Sequence, residues 1–264
     1  MGHIRLGIPP ATRQWGQVVE LLAADRHAIE DIALAVEEAA DRSLSTAVND
    51  HGFIEALWLL LSIPQALAAE DGISALHAIG IHLEAEAGLT DLAAGMEAAL
   101  EGFRRRSPVP TSDLALMSRD AAIATLVGLA LDRAPSLWAA SIDDERATIA
   151  SFASTTNFGE LAQRFFTNVL HGHLRYFLDR EVSRHIRPGG VLSSVADADY
   201  FDEAVRRHCR ETTLIMRAFA KEWLGKNRFY LEKDISRGDA AAFAAHAFTK
   251  IRAELHNRSS RVAA

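Results

Sequence analysis

Apolar residues recur along this chain at steps of three and four, and the two-residue alternation of a half-buried strand is almost absent. The clearest case is the stretch from Phe158 to Val182. There Phe158, Leu161, Phe165, Phe166, Val169, Leu170, Leu174, Phe177, Leu178 and Val182 fall at helical spacing. A backbone of 3.6 residues per turn gathers such positions on one side, and a pleated strand cannot. The chain is rich in Ala, Leu and Glu and poor in β-branched runs, which favours helix because straight side chains lose little rotamer freedom there. The pattern predicts an all-α fold, a globular bundle of about nine or ten helices.

Local signals divide the bundle. Asp50 is placed to cap a helix carrying Phe53, Leu57, Leu60 and Leu61 inward, with Pro64 ending or kinking it. A short helix from Gly72 to about Leu83 follows, and Thr90 caps the next. That one ends in Arg104-Arg105-Arg106, three positive charges suited to the negative end of the helix dipole. Residues 107–112, Ser-Pro-Val-Pro-Thr-Ser, read as a linker between an N-terminal lobe, 1–106, and a C-terminal lobe, 112–264. Beyond it, Ser141 to Asp144 resembles a capping box. Thr156 or Asn157 opens the longest helix, which Pro188-Gly189-Gly190 stops. Asp197 or Asp199 caps a helix running through Trp223 to a C-cap at Gly225, and the last helix covers about Asp239 to His256.

Charge is distributed unevenly over these lobes. Residues 1–100 hold 4 Lys/Arg and 15 Asp/Glu, a net of −11, while residues 156–264 hold 18 and 13, a net of +5. Such a surface presents an acidic and a basic side, either to each other or to different partners. The longest apolar run, Ile54 to Ile63, is about half the roughly 20 residues of a membrane span and reads as a buried helix. With no signal-peptide core at the N-terminus and a single cysteine, Cys209, at an apolar helical position, the expectation is a cytoplasmic protein without membrane contact.

Signatures of chemistry are sparse. No glycine-rich phosphate loop, no Gly-x-Ser-x-Gly elbow, no His-Glu-x-x-His and no His-Asp doublet occurs. His171-Gly172-His173 has the residue types of a ligand pair. Two helical residues turn about 200°, however, so the rings point to opposite sides. No metal and no cofactor is expected. Arg206, Arg207 and Arg210 form a basic cluster that Asp202 and Glu203 could answer at i+4 spacing, the order favoured on a helix. With an overall charge of −7, sequence-independent nucleic-acid binding is unlike this chain. Adjoining aromatics, above all Tyr176-Phe177, suit a helix covered on both sides, by its own domain or by a partner.

Arg180-Glu181-Val182-Ser183-Arg184-His185 resembles the Arg-x4-His motif of HEPN-type ribonucleases, which are also all-α. The resemblance implies metal-independent RNA cleavage, with Arg180 steadying the phosphate and His185 handling the proton of the attacking 2′-hydroxyl. Ordinary surface charge at a helix end is the other reading, and Arg164 with His171 also fits the looser form of the motif. The stretches 165–186 and 219–255 resemble helical bacterial proteins of anti-phage defence gene clusters. Together these features point first to a non-enzymatic adaptor or structural subunit of a bacterial multi-protein assembly. Its contact surface would be Arg206, Arg207, Arg210, Tyr176 and Phe177, and its partner a protein from the same operon or a second copy of the chain. The HEPN-like ribonuclease is the alternative, and a small-molecule sensor with a pocket between the lobes is a third.

Overall fold

The computed structural model describes residues 13–23, 31–32, 35–36, 47–133, 141–185, 193–230 and 234–262. Among these residues there are ten α-helices and no strand. They are α1 (Arg13–Ala23), α2 (His51–Leu67), α3 (Gly72–Ala78), α4 (Leu89–Arg106), α5 (Asp113–Arg133), α6 (Ile142–Ala150), α7 (Thr155–His185), α8 (Val195–Thr212), α9 (Ile215–Leu224) and α10 (Arg237–Val262). Pro188-Gly189-Gly190, expected to stop the longest helix, lies outside the described residues.

Several ends follow from cap chemistry. The Asp50 carboxylate accepts from Phe53 N–H at 2.8 Å, as its position in the sequence predicts. Ser141 and Asp144 satisfy each other's backbone N–H groups at 3.1 Å, so Asp serves in the usual Glu place of a capping box. Other ends differ from expectation. Gly88, not Thr90, precedes α4, and its N–H is held by Asp91. α3 stops at Ala78 because Gly80 turns the chain at φ +91°, a conformation costly to any residue with a Cβ. Pro64 does not end α2, which continues to Leu67 with most of its residues buried. Ser194 caps α8, and Gly225 is right-handed and leads into a π-helical turn, 225–230, instead of a C-cap.

The largest departure is a break at 213–214 in what the periodicity reads as one helix. Thr213 Oγ1 donates back to the Cys209 carbonyl at 2.8 Å and meets Thr167 Oγ1 of α7 at 2.7 Å. Such back-bonding competes with the helical ladder. The corner redirects α9 onto α7, the most extensively packed helix pair among the described residues. Their backbones nearly touch: a Cβ at Gly159 would stand 2.5 Å from the Arg217 carbonyl oxygen.

One buried apolar cluster draws on residues from both sides of 107–112. Phe53 of α2 packs between Phe165 of α7 and Phe248 of α10, with centroids 5.8 and 5.6 Å away. Phe243 meets Trp223 at 4.7 Å and Phe219 at 5.2 Å. Each fully buried ring of this kind contributes roughly 1.5–3 kcal/mol over its exposed state. The apolar run 54–63 is buried in α2, as read from the sequence. By length and composition α5 is apolar enough to cross a membrane. Here it packs on α2, α4 and α7 through Leu114, Ala121, Ala122, Leu126 and Leu129.

Candidate functional site

The long helix α7 is the frame of the site. Its first half carries Gln163, 4% exposed, at a place where a polar side chain must find partners or destabilise the fold. The Gln163 carboxamide finds two. Its oxygen accepts from Arg217 Nε at 2.5 Å, and its nitrogen donates to the Arg210 carbonyl at 3.1 Å. One turn on, Asn168 Nδ2 donates to Thr125 Oγ1 of α5 at 3.0 Å. These bonds fix α5, α7, α8 and α9 around a common opening.

That opening is a cleft of about 310 Å³, and four arginines line it: Arg164 from α7, Arg206 and Arg210 from α8, and Arg217 from α9. Among the described residues the only lining carboxylate is Glu160, which Arg133 already engages at 2.5 Å. Arg164 reaches Asp132 at 3.3 Å and Arg206 reaches Glu203 at 3.8 Å, both exposed pairs. Exposed pairs of this kind contribute little. Arg217 has only the neutral Gln163, and Arg210 has no carboxylate within ion-pair distance among the described residues. The cleft is at the small end of ligand-sized pockets. Its charge suits anions.

Arg206 and Arg210 are thus brought together as the sequence suggests, while Arg207 does not line the cleft. The expected i+4 ion pairs do not form, and Arg206 meets Glu203 at i+3 instead. Asp202 bonds to His171 Nε2, 2.9 Å distant, and this bond, aided by the charges of Arg175 and Arg206, holds the Asp202 carboxyl below its usual range. Arg207 has no carboxylate partner among the described residues. Arg217 went unpredicted as a site residue, because only the corner at 213–214 brings it beside the α8 cluster. Arg164, noted only as a second Arg-to-His match, joins the cluster through the packing of α7 on α8.

The proposed aromatic surface separates into two fates. Phe177 is 2% exposed and belongs to the core, not to a contact surface. Trp15 of α1 covers it edge-on at 5.7 Å, so the chain itself supplies the cover. Tyr176 is half-buried against the same core. His171 and His173 do point apart. His171 faces α8, and His173 lies 5.2 Å from Phe177 at 1% exposure, where burial pushes its pKa down to about 4. Among the described residues no group of three His, Cys, Asp or Glu could hold a metal.

Arg180 and His185 both lie on α7, but their side chains are outside the described residues. Five helical residues turn about 500°, so the two positions stand about 140° apart around the axis. No protein-family model matches the chain, and no curated protein or solved structure is detectably similar to it.

Proposed function

We propose that this chain is a non-enzymatic adaptor that acts through protein–protein contact, and that its arginine cleft grips an acidic segment of the partner. The observation that carries this reading is the convergence of Arg164, Arg206, Arg210 and Arg217 on one cleft whose only lining carboxylate among the described residues, Glu160, is engaged by Arg133. In a chain of net charge −7, such a site attracts anionic surfaces and sets the register in which they dock. The resemblance of 165–186 and 219–255 to helical proteins of anti-phage gene clusters makes a bacterial defence operon the first place to seek the partner.

The test is affinity purification from the native host, with and without nuclease, of the wild-type chain and of Arg210→Glu/Arg217→Glu. Stoichiometric, nuclease-insensitive recovery of an operon neighbour that the double charge reversal abolishes is the expected result. Recovery as a strict monomer ends the reading. Recovery as a homodimer with RNA attached moves it to the HEPN-like alternative, which Arg180→Ala and His185→Ala then test by RNA cleavage.

A further inference from the structure

The cleft's geometry goes further than a preference for negative charge. We infer that the four-arginine cleft is a phosphoryl-oxyanion site, and that the partner segment it takes carries a phosphorylated side chain. This inference rests on the adaptor reading above and names the chemistry of the same site.

Three features distinguish a phosphate monoester from a carboxylate here. The first is the amount of charge. A carboxylate brings one negative charge, whereas a phosphorylated side chain brings −1.5 to −2 near neutral pH, with three terminal acceptor oxygens. Of the four arginines that line one space, Arg164 and Arg206 are answered only by exposed pairs, and Arg210 and Arg217 by no carboxylate among the described residues. Lining Glu160 is engaged by Arg133, and the excess of positive charge matches the larger charge. The second is direction. A planar carboxylate is satisfied by one fork in its own plane, but a tetrahedral oxyanion accepts from several directions. These arginines approach from three helices: α7, α8 and α9. The third is preparation. Buried Gln163 holds Arg217 by Nε, which leaves both terminal nitrogens of that guanidinium for a ligand. Fixing the fork in advance lowers the entropy cost of binding.

The surroundings favour a phosphorylated protein over nucleic acid or free phosphate. A nucleic-acid backbone asks for a track of cations along a surface. Here the cations form one pocket in an acidic chain. At the corner between α8 and α9, Leu214 and Ile215 are exposed large apolar residues, and they stand in sequence between Arg210 and Arg217. Exposed apolar side chains at the corner that joins two helices of the pocket suit a peptide that offers a phosphate and a nearby apolar residue.

The experiment uses the full chain, immobilised, and two degenerate peptide libraries. They are identical except for a central phosphoserine in one and a glutamate in the other, and AMP and inorganic phosphate serve as soluble competitors. At least tenfold greater retention of the phosphoserine library is expected. A tenfold or larger loss is expected in Arg217→Lys, which keeps the charge and removes the fork. Arg210→Ala provides a second variant, and a cooperative thermal transition in each confirms that both are folded. Equal retention of the two libraries overturns the phosphate inference and leaves the acidic-partner reading standing. Retention of neither overturns both. AMP bound at concentrations where no phosphopeptide is retained overturns the phosphoprotein source.

Discussion

Two sets of arginines in this molecule make opposite use of the same side chain. At the start of α10, Arg237 donates two hydrogen bonds to Glu55 at 2.5 and 2.7 Å and lies 3.6 Å over the Trp58 ring. Trp58 in turn donates from Nε1 to the Ile235 carbonyl at 2.8 Å, so α10 is clasped to α2. The Glu55 side chain is only 5% exposed, and its charge is tolerable because Arg237 answers it. In the cleft between α7, α8 and α9, by contrast, no arginine answers a fully buried carboxylate, and two of the four have no carboxylate partner among the described residues. The clasp satisfies a charge that the fold has already buried. The cleft holds charges that answer no buried acid, and that leaves Arg210 and the terminal nitrogens of Arg217 available to a ligand.

The sharpest way to break this contrast is to remove the two halves of the clasp separately. Arg237→Ala leaves Glu55 buried without its partner and uncovers Trp58, which is expected to cost about 4 kcal/mol. Glu55→Ala leaves Arg237, whose side chain is already 53% exposed and can turn to water, so about 2 kcal/mol is expected. Urea denaturation midpoints at pH 7 measure both. Equal losses would mean that burial of Glu55 is not what gives the clasp its weight.

A second buried group extends the comparison, because burial alone holds it in its neutral form. His173 has its pKa pushed down to about 4 from 6.5 by burial. Between those values the unfolded chain takes up a proton and the folded chain does not. Stability is therefore full above about pH 6.5 and falls as pH drops toward 4, by roughly 3 kcal/mol. Asp202, whose carboxyl is held low by His171, loses its contribution only as pH falls below its ordinary 3.8. The window above pH 4 therefore separates the two. Urea titrations at pH 7.0 and 4.5 measure the slope, and His173→Phe is expected to flatten it. An unchanged slope in that variant assigns the acid sensitivity elsewhere.

What the sequence revealed divides along the same line. Helical register, the Asp50 cap and the Ser141–Asp144 box are local, and each was readable from a few adjacent residues. Arg206 and Arg210 were visible as a cluster for the same reason. Glu55 and Arg237 are separated by 182 residues, and nothing near either signals the other. Arg217 was hidden by a subtler cause. The apolar pattern runs unbroken through 213–214, and it takes the contact of Thr213 with Thr167 to turn the chain there. The expectation that Asp202 would neutralise Arg206 failed because helical spacing offers a partner, while packing brought a competing one, His171, from another helix.

The smallest expected effect is the most direct test of whether the cleft charges are needed by the fold. Arg210→Ala removes an exposed guanidinium that has no carboxylate within reach among the described residues. Surface changes of this kind usually stay within about 0.5 kcal/mol. Here the sign should be favourable at low ionic strength, because one of four like charges is gone. At 0.01 M salt the Debye length is about 30 Å, so mutual repulsion across the cleft is felt, and at 1 M it is about 3 Å and largely screened. The variant should therefore melt slightly above wild type in dilute buffer and together with it in 1 M NaCl. The loss in Arg237→Ala, which comes from an unanswered buried charge, should persist at both. If Arg210→Ala instead destabilised the chain as much as Arg237→Ala, the cleft would be a second clasp, and its arginines would be structural rather than free for a partner.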